Sequence, residues 1–121
     1  MNDSTTGDRL PAEAVALLEA LLDADTPACR ALRAQIPHLR VTGGCPCPCP
    51  SLDFGMDAPE AVPAAPVGSR IVAEATVLDA GGQPIGGAMV FAFEGRLSNL
   101  EVYSWDDPPI TRLPSPDRLL P

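Results

Sequence analysis

Lysine is absent from this chain, and histidine occurs once. All eight positive charges are arginines, set against 16 carboxylates, for a net charge of −8. Such a surface repels a phosphate backbone and anionic lipid headgroups, so neither nucleic acid nor membrane is an expected partner. No uninterrupted apolar run reaches the roughly 18 residues of a membrane span, and the polar stretch Met1 to Arg9 has no apolar signal core. The cytosol is the expected location, and there four cysteines are read as thiols or metal ligands and not as a disulfide framework. The lone His38 has no serine or cysteine motif around it. Gly81-Gly82 and Gly86-Gly87 do not form a phosphate-cradling loop. The chain is therefore expected not to be an enzyme.

Proline is abundant. Of fifteen in the chain, eleven cluster in Cys45 to Pro50, in Asp57 to Gly68 and in the stretch after Trp105. Setting these aside leaves roughly 80 residues for a core, enough for one layered domain. The expected organisation is a disordered leader over 1–9 and a single domain over 10–106 with a Pro/Ala-rich loop at 57–68. A Pro-rich tail over 107–121 follows. Prolines, many alanines and the missing lysine together read as a high-G+C bacterial coding sequence.

Within the domain, helical periodicity comes first. Leu10, Ala14, Leu17 and Leu21, backed by Val15, Leu18 and Leu22, recur at three- and four-residue spacing over about 11–23. Thr26-Pro27 is an N-cap followed by a proline in the first turn. It opens a second helix over about 27–36 with Cys29, Leu32 and Ile36 on one face. Leu17, Leu21, Leu32 and Ile36 are the expected contacts with a sheet. Alternation then takes over in Leu39–Val41, Leu52–Met56, Ile71–Leu78, Ile85–Phe93 and Leu100–Trp105, with Met89, Phe91 and Phe93 on one face. Short turns at Asp79–Gly82 and Glu94–Arg96 make the last three an antiparallel meander. The predicted fold is α+β, with two N-terminal helices packed on one face of a four- or five-stranded, mostly antiparallel sheet. Arg30, Arg33 and Arg40 lie around the second helix's C-terminus, where they complement its dipole.

The run Cys45-Pro46-Cys47-Pro48-Cys49-Pro50-Ser51 places three thiols at every second residue. Each cysteine precedes a proline, which drives it to β or polyproline backbone. In a polyproline helix the three side chains splay; in a strand they share a face, but the outer Cα atoms stand roughly 13 Å apart. Neither geometry brings three sulfurs to a zinc ion at about 2.3 Å unless the run bends. Cys29 and His38 are the nearest candidates for a fourth ligand. The usual two-residue spacing of structural zinc cysteines is missing. A stiff connector is the expected role, with a zinc site at Cys45, Cys47 and Cys49, or a thiol redox role, as alternatives.

The order helix pair, strand, Cys-x-Cys-x-Cys-Pro-Ser, acidic-apolar strand resembles a group of small uncharacterised bacterial proteins. In that group the run typically reads Cys-x-Cys-Gly-Cys-Pro-Ser. The later segment Gly95 to Asp106, containing Leu100-Glu101-Val102-Tyr103, is similar to a late strand of the same group, and the likeness covers most of 10–120. Pro48 replaces the group's glycine, which stiffens the run. The resemblance implies no activity, cofactor or site residue.

Tyr103 and Trp105 fall on one face of the last strand, opposite Leu100 and Val102. With helices on one side only, the two rings stand on the open side as a protein-contact surface; packing beneath the proline tail is the alternative. Asp106-Asp107 before two prolines reads as a solvated turn. The expected function is a small acidic interaction module, inhibitor- or immunity-like, that masks a basic protein or associates with itself. The alternative is a metal- or thiol-dependent protein built on Cys45, Cys47 and Cys49.

Overall fold

The computed structural model describes residues 8–44, 49–56, 59–106 and 108–120. Two helices, α1 (Ala12–Leu21) and α2 (Pro27–Gln35), are joined by a short loop, and a 3-10 turn at Ile36–His38 follows them. The strands are β1 (Asp8–Arg9), β2 (Leu39–Gly44), β3 (Leu52–Met56), β4 (Ile71–Leu78), β5 (Pro84–Phe93), β6 (Arg96–Ser104) and β7 (Leu119–Leu120). They form one sheet in the order β1-β2-β3-β6-β5-β4-β7, and every pair is antiparallel.

The α+β class and the β4-β5-β6 meander agree with the sequence reading, but the sheet has seven strands and not four or five. The two extra strands are two-residue pieces at its edges. Asp8 and Arg9 pair with Val41 and Arg40, and Leu119 and Leu120 pair with Val77 and Thr76. Two residues carry no alternation, so periodicity cannot find them. They form because a strand edge offers backbone groups that need partners, and neighbouring chain supplies them. The sheet thus reaches into both stretches read as leader and tail. The loop read at 57–68 is also docked: it makes a 3-10 turn at Pro59–Ala61 and buries Val62 and Ala65.

Thr26 caps α2 as expected, its Oγ accepting from the Cys29 backbone N–H at 3.1 Å. Pro11 is the residue before α1 and not part of its first turn. Leu17, Leu32 and Ile36 are buried, but Leu21 is only half-buried, while Leu18 and Leu22 are fully covered. The apolar stripe of α1 is wide enough to include all four leucines, and the sheet sits under its Ala14–Leu18–Leu22 flank. From the sheet, Ala88, Val90 and Ala92 of β5 and Leu97, Leu100 and Val102 of β6 meet the helices. The small Ala88 and Ala92 side chains on β5 let the helices settle close. Each large apolar residue buried here is worth about 1.5–3 kcal/mol over its exposed state.

Arg33 does not serve its own helix. Its guanidinium donates to the Leu22 and Ala24 carbonyls, which are left without partners at the end of α1. Arg30 pairs with Asp25 on the surface. The Glu94-Gly95 hairpin has both residues at positive φ (52° and 79°), the twist a two-residue link between β5 and β6 needs.

Candidate functional site

Helices cover one face of the sheet, and the cross-strand register sets what the other face displays. One row runs Leu120–Thr76–Gly87–Tyr103, the next Glu74–Met89–Glu101, and the third Ile71–Phe91–Asn99–Asp53. Apolar and aromatic groups thus alternate with three carboxylates across four strands. The Tyr103 ring lies directly over Gly87, where any Cβ would collide with it. A glycine at that point lets the ring lie flat on the neighbouring backbone. Phe93 is 57% exposed with the Arg70 guanidinium 5.9 Å from its ring centre. Tyr103 is 38% exposed and Trp105 54%. Among the described residues of the tail, the apolar side chains of Ile110, Leu113 and Leu119 turn elsewhere and pack against the core on the helix side.

A second feature is a narrow waist between β3 and β6. These strands pair at only two positions, Leu52↔Leu100 and Asp53↔Asn99, whereas β5 and β6 pair along almost their whole length. Beyond the Leu52↔Leu100 pair a side chain takes over. Ser51 Oγ accepts from the Val102 N–H at 3.0 Å and donates to the Val102 carbonyl at 3.2 Å. One hydroxyl therefore stands in for a strand residue, using the donor and one of the acceptor positions it has. The Cys49 thiol, half-buried, sits 3.6 Å from the same oxygen. The strands diverge here around a cleft of about 400 Å³ lined by Cys49, Ser51, Asp53, Asn99, Glu101 and Tyr103. On the other side of the waist lies a similar cleft of about 410 Å³ between Phe54, Met56, Phe93 and Arg96.

The end of the cysteine-proline run and Tyr103, more than fifty positions apart in sequence, thus share one cleft. Cys45 and Cys47 lie outside the described residues. Among the described residues no group of three or more His, Cys, Asp or Glu side chains stands together as a metal site would require. Cys29 is a half-buried residue of α2 and His38 is exposed at the end of the 3-10 turn. No described helix is long and apolar enough to cross a membrane.

Two residues that hold this region in place carry no motif. Gln35, 1% exposed, donates from Nε2 to the Pro63 and Gly95 carbonyls at 3.1 and 2.9 Å, and its Oε1 accepts from the Leu97 N–H at 2.9 Å. It ties α2, the 59–67 loop and the β5–β6 hairpin together. Its signal was a glutamine set between Leu32 and Ile36 on an apolar helical stripe. Arg96 Nε reaches the Pro59 and Val62 carbonyls, so this cation is spent on the same loop. Asp117 is held below the usual carboxylate range first by a hydrogen bond from Ser115. It lies far from both features in the chain and fully in solvent.

No family model, curated protein or solved structure matches the chain.

Proposed function

We propose that this protein is a small acidic interaction module that masks a basic protein surface through the open face of its sheet. The observation that carries the reading is the apolar and aromatic set of the open face, exposed Ile71, Phe93 and Tyr103 with half-buried Met89 and Phe91, interleaved with Glu74, Glu101 and Asp53. Exposed aromatics on a rigid sheet make good anchors because they bury much area at little entropic cost. Carboxylates among them favour a basic partner and speed its encounter. They also disfavour a second copy, which would bring another net charge of −8 to the same place. The role is inhibitor-like: occupancy of a partner surface, with no chemistry assigned to the module itself.

The test compares immobilised wild type with the Glu74→Lys/Glu101→Lys variant in extracts of the source cells. Basic proteins held by the wild type, released by salt and lost from the charge-reversed form are the expected result. Equal retention by both forms refutes the reading.

A further inference from the structure

The open face has an edge, and this inference, which rests on the reading above, concerns how a partner is held there. β4 is paired on its outer side with β7 at Thr76 and Val77 only. From Ile71 to Ala75 no other described strand pairs with that edge. A free edge presents unpaired N–H and C=O groups, and an extended chain can satisfy them by joining the sheet. This edge is accessible: Ile71 and Glu74 are both exposed. It also has the right form, because β7 already adds to it as an antiparallel strand. A strand continuing the line of β7 would come to lie beside Ala75 and then Glu74.

Charge selects the occupant. Glu74 stands at the outer end of the Glu74–Met89–Glu101 row. A side chain on an added strand directly opposite Glu74 lies roughly 5 Å from it, Cβ to Cβ. It lies roughly 15 Å from Glu101, three strand spacings away, where salt screens most of the interaction. Glu74 therefore dominates the choice, and it calls for Lys or Arg. One position along, on the same face, Ile71 calls for an apolar side chain. The bulge between Ile71 and Ala73 and the carboxylate itself discourage neutral or acidic strands, the ordinary protection of an edge.

We propose that the partner adds an extended basic segment as a new strand along Ile71–Ala75 of β4, with Lys or Arg beside Glu74 and an apolar side chain beside Ile71.

The probe is a synthetic heptapeptide of alternating threonine and valine, beginning with threonine, with arginine in place of the central valine. Three controls accompany it: glutamate in place of arginine, and two forms methylated at alternate backbone nitrogens, one set for each edge. The arginine peptide should slow amide exchange within Ile71–Ala75. One methylated form should bind at least about tenfold more weakly, as loss of backbone pairing requires, and the glutamate form should bind weaker still. Glu74→Lys should lose about tenfold as well. Binding that leaves exchange at 71–75 unchanged, or that both methylated forms retain, overturns strand addition and leaves docking on the open face standing. Arginine-peptide binding undiminished in Glu74→Lys/Glu101→Lys overturns the open-face reading as well. No binding at about 1 mM peptide, the weak end of peptide recognition, overturns strand addition.

Discussion

Replacing Gln35 by leucine keeps the side-chain volume close to constant and removes three hydrogen bonds at once. Their losses differ. The Leu97 N–H bond to Gln35 is buried, so orphaning that donor costs about 1–3 kcal/mol. The Gly95 carbonyl keeps its bond from the Ala65 N–H at 2.7 Å, and the Pro63 carbonyl is only part-buried and can turn to water. Each of those two losses is worth about 0.5–1 kcal/mol. Greater apolar burial of leucine offsets part of the sum, leaving a net destabilisation of about 2–4 kcal/mol. Urea unfolding followed by circular dichroism should show the midpoint falling with an unchanged slope, and exchange at Leu97 should quicken more than at Val90. Gln35→Glu sharpens the test. A buried carboxylate facing two carbonyls is raised in the folded state above its unfolded value, so its penalty is full at neutral pH. It eases as the pH falls and the protonated group regains a donor. A change below about 0.5 kcal/mol in Gln35→Leu would refute the argument that this amide clamps the loop and hairpin to α2.

Leu18→Ala should cost about 2–5 kcal/mol, and Leu21→Ala less than half of that, because only the first side chain is fully enclosed; equal losses in thermal melts would contradict the observed face of α1. Ser51→Ala removes both side-chain bonds to Val102 and should cost about 1–2 kcal/mol, with faster amide exchange at Val102, while Ser51→Thr should restore most of it. Replacing Cys45, Cys47 and Cys49 together with serine should leave the melting temperature almost unchanged, with or without chelator. Stoichiometric zinc in the native protein, lost together with stability in that variant, would put the metal reading first.

Much of the architecture was legible in the chain before folding was considered. Helical spacing in Leu10–Leu22, the Thr26-Pro27 start and the alternation of Ile71–Leu78 and Ile85–Phe93 each depend on local backbone preference and on a one-sided core. A single sequence therefore carries those signals. The antiparallel meander followed from short turns for the same reason. Tertiary structure alone decided four things. Which flank of the α1 stripe met the sheet depended on where the strands lay, so Leu18 and Leu22 replaced Leu21. The two-residue edge strands exist only because β2 and β4 present edges to pair with, and no periodicity fits in two residues. Gln35 and Ser51 became clamps because β3 pairs with β6 only at Leu100 and Asn99, so Leu97 and Val102, though paired with β5, have no β3 residue opposite them, a need that arises only from contacts distant in sequence. And the joining of Cys49 to Tyr103 in one cleft, like the rows of carboxylates and rings on the open face, depended on strand register, which sets neighbours across the sheet and leaves no trace along the chain.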